Sequence, residues 1–315
     1  MTMKHIFNGC SFMLSLVLGI TSAQADTIES VRNSGGAGNR TQEYVFSPDP
    51  DNLIEPDAAN TYVLKHAWSM REPEDGLVVG QLEIVDDGQL SNATGGNRTW
   101  VMSANTVLNG GTLVGSKDAT KRMEVNGGGF DFSLQSGTLT ANSDATLRIL
   151  NADLSGDGGI EVNGAGTVQF QSTVDTTGFT GTFDVTGSIL DLDEIATASF
   201  GLSLSSAGVY ANDADAAFTS LTIMGSAVAN DTYTRAELLA YGTSAFSQDW
   251  SSFITAGSTG TITVNSLVPE PRQYAFIFGL MIFIARLLSR AKHVNIQLRY
   301  NFAAGSRSRL SQAPF

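Results

Sequence analysis

Residues 159–192 have the sequence GIEVNGAGTVQFQSTVDTTGFTGTFDVTGSILDL. Four short runs of strand-favouring residues lie in this stretch, at 160–162, 167–170, 182–185 and 189–192. Gly, Asn, Asp or Ser separates each run from the next, as is typical of strands joined by tight turns. No segment in this stretch is long enough and regular enough to be an amphipathic helix. The stretch therefore predicts closely spaced β-strands.

The same pattern extends over residues 82–192, where a glycine followed by Thr or Ser and then an aliphatic residue recurs. The motif glycines are Gly111, Gly137, Gly166 and Gly187. The intervals between these glycines are 26, 29 and 21 residues. This is the length of one coil of a solenoid, in which each coil buries its apolar face only by stacking on the next. We therefore predict an all-β fold, a right-handed parallel β-helix. A β-sandwich or jelly roll, which also has many short strands and glycine-rich turns, is the alternative.

Within residues 151–193, the segment Gly164-Ala165-Gly166-Thr167-Val168 is followed by Gly178-Phe179-Thr180-Gly181-Thr182-Phe183. This combination resembles the passenger-type repeats of autotransporters. The resemblance implies an exported β-solenoid.

The N-terminal segment at 1–25 has the pattern of a secretory signal peptide. Lys4 and His5 precede an apolar stretch at 12–20, and Ala23-Gln24-Ala25 has the small-x-small form of a cleavage site. We expect signal peptidase and the general secretion machinery as partners, and a mature chain that starts at Asp26. The sole cysteine lies in the signal, so the exported part has no disulfide.

A second targeting pattern lies near the C-terminus. Val268-Pro269-Glu270-Pro271 has two prolines, which exclude a helix or a sheet ladder and predict an accessible extended segment. An uncharged run follows, and a basic cluster of Arg286, Arg290 and Lys292 closes it. A helix over 274–288 would rise about 22 Å, somewhat less than the hydrocarbon core of about 30 Å. Because the run has no polar face, we predict a transmembrane helix there rather than a buried core helix.

Charge differs sharply between the two sides of this run. All 31 acidic residues lie between 26 and 270, whereas residues 26–271 contain only ten basic ones, a net charge of −21. The segment after residue 271 has seven basic residues and no acidic one. By the positive-inside rule, the basic tail at 294–315 is predicted to be cytoplasmic and the acidic part exported. Nucleic acid and anionic lipid are excluded as partners of the acidic part by repulsion.

Residues 268–293 together resemble the PEP-CTERM sorting signal of exported proteins in biofilm-forming Gram-negative bacteria. The resemblance covers less than a tenth of the chain. It implies processing by an exosortase near the Pro-Glu-Pro, after transient anchoring in the inner membrane. It also implies that Val268, Pro269, Glu270 and Pro271 are the recognition element, and that Arg286, Arg290 and Lys292 are the stop-transfer flank. Members of this family usually end soon after the basic cluster, whereas this chain continues from 294 to 315.

The predicted organisation follows from these patterns. It comprises a signal peptide at 1–25, an extended polar lead-in at 26–61, solenoid repeats at 62–193, a C-terminal β capping module at 194–267, the sorting signal at 268–293 and the tail at 294–315. In the capping module we expect a short helix around 235–241 and aromatic residues that cover the open end of the solenoid, since that end would otherwise be a bare sheet edge.

No catalytic residue, metal ligand or cofactor is predicted. After residue 25 and before the basic cluster, His66 is the only histidine, and we interpret it as a packed surface residue. The densest acidic groups are Asp86-Asp87, Asp153 with Asp157 and Glu161, and Asp191 with Asp193-Glu194. They suit a solvated acidic surface. Calcium and a two-carboxylate glycosidase stay as alternatives, although no known calcium-loop motif is present.

Three functions are compatible with this sequence. The first is a non-enzymatic surface or matrix protein that contacts exopolysaccharide through many weak interactions. The second is a polysaccharide-active enzyme, which needs carboxylates facing a basic residue such as Lys117, Lys121, Arg122 or Arg148. The third is ice binding, which would need a regular Thr-x-Thr array, whereas Thr138-Leu139-Thr140 and Thr261-Ile262-Thr263 are isolated in the sequence.

Overall fold

The computed structural model describes residues 26–33, 42–48, 51, 53, 55, 57–70, 79–92, 97–102, 104–116, 121–193, 195, 199–211 and 214–265. Two helices and 23 strands occur in this part of the chain. In chain order they are β1 (Thr27–Glu29), α1 (Gln42–Phe46), β2 (Thr61–Leu64), β3 (Ala67–Met70), β4 (Gln81–Val85), β5 (Gln89–Asn92), β6 (Arg98–Val101), β7 (Asn105–Ser116), β8 (Arg122–Asn126), β9 (Asp131–Ala141), β10 (Thr146–Leu150), β11 (Asp153–Gly156), β12 (Gly159–Gly164), β13 (Thr167–Phe170), β14 (Asp175–Phe179), β15 (Thr182–Thr186), β16 (Ile189–Asp191), β17 (Gly201–Ser205), β18 (Val209–Ala211), β19 (Ala216–Phe218), β20 (Ser220–Ile223), β21 (Ser226–Ala227), β22 (Thr232–Tyr233), α2 (Arg235–Phe246) and β23 (Ile262–Val264).

The strands form a β-solenoid of about six turns with three faces. Face A contains β1, β2, β4, the first halves of β7 and β9, β11 and β14. Face B contains β3, β5, the second halves of β7 and β9, β12, β15, β17 and β20. Face C is a six-stranded sheet in the order β18-β16-β13-β10-β8-β6. Strands that stack within a face are parallel. From β4 to β16 the chain visits A, then B, then C in each turn.

Alternation along each strand builds the core. In β8 and β10 every second residue is buried, and the residues between them face outward. Leu and Val dominate the interior of the early turns, whereas phenylalanines fill the later ones. Phe183 is fully buried, and its ring centroid lies 5.3 Å from Phe170, 5.0 Å from Phe179 and 4.9 Å from Phe200. The core is therefore one continuous column inside the stacked turns.

Glycine permits the corners between faces A and B. Gly137 bends β9 from one face to the other with a φ of 129°, a conformation that side chains disfavour. At the equivalent corner of the next turn, a Cβ on Gly158 would lie 1.5 Å from the carbonyl oxygen of Gln135. Only a residue without a side chain fits this close approach of two turns.

Different structures cover the two ends. At the N-terminal end, α1 places the buried ring of Phe46 edge-on to Tyr62, with centroids 5.0 Å apart, and to Trp68 at 5.8 Å. At the other end, β20 and β21 pair antiparallel, and a separate three-stranded sheet forms in the order β19-β23-β22. Helix α2 packs there against the fully buried Trp250.

The structure confirms the β-solenoid and excludes the sandwich alternative, because the strands that stack from turn to turn are parallel. The glycine motif is only partly in phase with the turns. Thr112 pairs with Thr138, as predicted, but Thr138 then pairs with Glu161 of face B, whereas Thr167 lies on face C. The interval from Gly137 to Gly166 therefore joins two different faces and is not the length of one turn.

Two predicted boundaries also differ from the structure. The segment at 26–61 is not merely an extended lead-in, because β1 pairs with β2 and α1 buries Val45 and Phe46. Stacking does not end at residue 193, since β17 and β20 continue face B beyond it. The sequence shows the residues of these elements but not the register by which they pair with neighbouring strands. Among the described residues, no helix is long and apolar enough to cross a membrane; the span predicted at 274–288 lies outside them.

Candidate functional site: the outward columns of the three faces

Outward side chains form columns that run along the solenoid. Successive residues of a strand point to opposite sides, and the parallel strands are in register, so equivalent residues of successive turns lie side by side. Their spacing is about 4.8 Å, the distance between neighbouring strands. Each face consequently presents a ladder of side chains that is as long as the stack, and the three ladders differ in chemistry.

Face C has a connected polar ladder across five strands. Glu124 Oε1 accepts a hydrogen bond from Thr99 Oγ1 (3.0 Å), and Glu124 Oε2 lies 3.7 Å from Arg148 Nη1. Arg148 Nε donates to Gln169 Oε1 at 2.7 Å, and Gln169 Nε2 donates to Asp191 Oδ2 at 2.8 Å. These residues are in register from β6 to β16. Each side chain thus fixes the orientation of the next.

A second column on face C contains Arg122, Thr146 and Thr167 in register. Arg122 Nε lies 3.4 Å from Glu124 Oε2 without forming a hydrogen bond. The side chain of Arg122 is 37% exposed, that of Arg148 is 25% exposed, and that of Glu124 is 15% exposed. The two cations therefore reach solvent more than the carboxylate between them does.

Face A carries a column of carboxylates. Asp153 is in register with Asp131 on one side and with Asp175 on the other. The pKa of Asp175 is held below its usual value, because its carboxylate accepts hydrogen bonds from the backbone and side chain of Thr177. Repulsion along the column is moderated by exposure to water, since Asp153 and Asp175 are both exposed.

Face B is rich in hydroxyl and amide groups. One column contains, in register, Gln89, Thr112, Thr138, Glu161, Asp184, Ser203 and Thr222. In the neighbouring column, Thr140 Oγ1 donates to Asn163 Oδ1 at 2.7 Å, and Asn163 Nδ2 donates to Glu161 Oε1 at 3.2 Å. This face spans seven strands along the first column, about 29 Å.

The structure separates most of the acidic groups that the sequence placed together. Asp153 lies on face A and Glu161 on face B, so they do not share a site. Asp191 Oδ1 accepts a hydrogen bond from the backbone N–H of Asp193, which forms a local turn. Within the described residues, no group of three or more His, Cys, Asp or Glu side chains has the arrangement of a metal site.

The remaining candidates occupy separate positions. His66 Nδ1 lies 3.0 Å from Ser30 Oγ at the N-terminal end of the solenoid. Arg122 and Arg148 do face Glu124, as the enzyme hypothesis requires of a basic residue, whereas Lys117 lies outside the described residues. The two Thr-x-Thr segments belong to different sheets, one on β9 and the other at β23.

The predicted processing residues lie outside the described part of the chain. They are the signal cleavage residues Ala23 and Ala25, the sorting motif Val268, Pro269, Glu270 and Pro271, and the flank Arg286, Arg290 and Lys292.

Sequence reasoning missed the ladder of face C, although a signal for it exists. Glu124, Arg148, Gln169 and Asp191 are polar residues that each follow a buried aliphatic or methionine residue, and they recur at nearly constant intervals along the chain. Aligning the strands by these intervals, rather than by glycines, would have placed them on one face.

No protein-family model, curated protein or solved structure matches this chain. A function for this chain is therefore proposed from the chemistry of the outward columns.

Proposed function

We propose that this chain is an exported, non-catalytic protein of the cell surface or extracellular matrix of a Gram-negative bacterium, and that it contacts exopolysaccharide along its solenoid. The column on face B supports the proposed binding to polysaccharide, because it offers hydroxyl, amide and carboxylate groups on seven neighbouring strands of that face. Polysaccharides are repetitive, and a repetitive surface can make many weak hydrogen bonds to successive sugar units. In this proposal, the coils wind right-handed, as parallel crossovers do.

The export part of the proposal rests on sequence. The signal at 1–25 would direct secretion, and the helix at 274–288 would hold the chain in the inner membrane with the basic tail inside. An exosortase would then cut near Pro269-Glu270-Pro271 and release the solenoid outward. The opposite charges on the two sides of the apolar run support this orientation.

Two deletions test delivery. Removing residues 268–315 should leave the protein in the periplasm or the growth medium, without delivery to the surface or matrix, as measured by cell fractionation and immunoblotting. Removing only 294–315 is the matched control and should leave delivery unchanged. Surface delivery that persists without 268–315 would refute the sorting proposal.

A second candidate, a polysaccharide-active enzyme, is favoured by one observation. Glu161 and Asp184 are directly opposite each other on β12 and β15 of face B. Neighbouring strands are about 4.8 Å apart, close to the separation of about 5–5.5 Å between the two carboxyl groups of retaining glycosidases. Release of reducing ends from a polysaccharide, lost in Glu161→Gln and in Asp184→Asn, would establish this activity. Product release that persists in both variants would eliminate this pair as the catalytic groups.

A further inference from the structure

The basic residues of this acidic chain are concentrated near one face. Residues 26–271 have ten basic residues, and half of them lie between 98 and 148: Arg98, Lys117, Lys121, Arg122 and Arg148. Arg98 begins β6, Lys121 directly precedes β8, Arg122 lies on β8 and Arg148 on β10, so four of the five belong to or adjoin three neighbouring strands of face C. The fifth, Lys117, lies outside the described residues.

Most carboxylates of the stacked turns lie on the other two faces. Asp131, Asp153 and Asp175 project from face A, and Glu161 and Asp184 from face B. On face C, Glu124 is the carboxylate next to Arg122 and Arg148, and Asp191 lies two strands beyond Arg148. Asp144 is exposed in the turn directly before β10, near the Lys121 end of β8. Around β8 and β10, the three cations Lys121, Arg122 and Arg148 therefore outnumber the two carboxylates Glu124 and Asp144. Charges more than about 8 Å away are largely screened at physiological salt, so this local excess persists despite the negative net charge.

The same surface offers groups that suit a sugar. Gln169, Thr146 and Thr167 lie beside the two arginines, with side chains at the surface, and Ile189 continues the column of Thr146 and Thr167 with 37% exposure. Guanidinium groups bind carboxylates with strong, directional hydrogen bonds. The six strands of face C extend over about 24 Å, enough for several sugar units.

We infer that face C, centred on Arg122 and Arg148, is the binding surface for an acidic glycan, whose carboxylates pair with these two arginines. This inference rests on the proposed contact with polysaccharide and specifies both the face and the charge of the ligand. Face B would then contact neutral parts of the polymer.

The test measures binding of the full chain to polygalacturonate and to its methyl ester, which has the same backbone without the charge. We expect the ester to bind at least about tenfold more weakly, a difference of about 1.4 kcal/mol. Arg122→Gln should weaken polygalacturonate binding about fivefold. Because Arg122 Nε makes no hydrogen bond, this change removes the ion pair with Glu124 at 3.4 Å but none of the hydrogen bonds in the ladder from Thr99 to Asp191. Lys65→Gln is the matched control, since it removes one cation that pairs with Glu29 away from face C.

The outcomes separate this inference from the proposed function. Equal binding of the polymer and its ester would overturn the acidic-glycan inference and leave polysaccharide contact standing. Equal losses in Arg122→Gln and Lys65→Gln would overturn the assignment to face C. Duplex DNA that binds as tightly as polygalacturonate would show a general anion surface and would also overturn it. Failure of both polymers to bind would refute the inference together with the proposed polysaccharide contact.

Discussion

The middle turns of the solenoid and its C-terminal end are stabilised in different ways. In the middle, each strand lies between two parallel neighbours, and its contacts repeat from turn to turn. At the end, β23 pairs parallel with β19 and antiparallel with β22, and Asp215 accepts hydrogen bonds from Thr261, which is distant in sequence. The middle therefore depends on a shared register, whereas the end depends on individual contacts that occur once. In the middle turns, the effect of a substitution on stability should consequently depend on its position in a column. At the C-terminal end it should depend on the individual partner that is lost.

The largest effect is expected for Phe183→Ala in the core of the middle turns. Phe183 is fully buried among three other phenylalanine rings, so its loss leaves a cavity between turns. We expect the free energy of unfolding to fall by about 3–5 kcal/mol, measured by urea denaturation. Phe130→Ala is the control, because Phe130 is 36% exposed at a corner and should cost far less. Similar losses in the two variants would contradict a core that is continuous through Phe183.

The next effect tests the close approach of two turns. In Gly158→Ala, the new Cβ would lie 1.5 Å from the carbonyl oxygen of Gln135, so one turn must move. We expect a loss of about 3 kcal/mol, measured by thermal unfolding. Gly159→Ala, at the next position along the chain, has no atom within 4 Å of its new Cβ and should change stability little. If both variants melt alike, the spacing between these turns is not limited by Gly158.

A smaller effect is expected at the C-terminal end, where α2 begins with a capping box. Thr234 Oγ1 accepts from the backbone N–H of Glu237, and Glu237 Oε2 accepts from the backbone N–H of Thr234. Thr234→Ala should lower stability by about 1 kcal/mol. Thr243→Ala, the same change inside the helix, should be neutral or slightly stabilising, because alanine has the higher helix propensity. A loss of helical circular dichroism for both would argue against a specific role of the cap.

The smallest effect is a difference in acid sensitivity. Hydrogen bonds from backbone and side chains lower the pKa of Asp215 through Thr261, of Glu237 through Thr234 and of Asp249 through Ser251. These three carboxylates lie at the C-terminal end, whereas Asp175 is the corresponding case in the middle turns. A lowered pKa in the folded state contributes stability above the unfolded pKa, and this contribution is lost as the pH falls through the folded value. The end should therefore loosen first below about pH 4.

Tryptophan fluorescence measures this difference. Trp250 reports on the C-terminal end when Trp68 and Trp100 are replaced by Phe, and the latter two report on the solenoid when Trp250 is replaced. On acid titration, the Trp250 signal should change at a higher pH than the other two. The reverse order would show that the repeated turns, not the individual contacts, are the acid-sensitive part.

The sequence predicts those strands whose own residues favour them. The run at 167–170 coincides with β13 and that at 182–185 with β15 to within one residue, because both alternate apolar with polar residues and begin with Thr. Strands β11 (Asp153–Gly156) and β14 (Asp175–Phe179) escape prediction, since each contains Asp and Gly and neither alternates regularly between buried and exposed residues. Both are stabilised by pairing with their neighbours. A strand that depends on adjacent turns leaves little signal in its own sequence.

The candidate binding surface on face C could likewise not be predicted from the sequence. The identities of Arg122, Arg148 and Glu124 are visible in the sequence, but their meeting requires the register of β8 and β10, because a full turn of chain separates the paired positions. The helix predicted around 235–241 is confirmed as α2 but extends to Phe246, because Ser247 with a φ of 57° provides its C-cap. No periodic pattern in that segment predicts its length.

The register also has a consequence for how the molecule acquires its structure. Partners within a face are separated by about one turn of chain, as are Thr138 and Glu161, or Asp184 and Ser203. A turn can form as soon as the preceding one offers its edge, and folding can nucleate at one place and propagate to neighbours. A chain that emerges from a narrow channel with its N-terminus first can thus wind up progressively, with α1 closing the starting edge and Trp250 sealing the last.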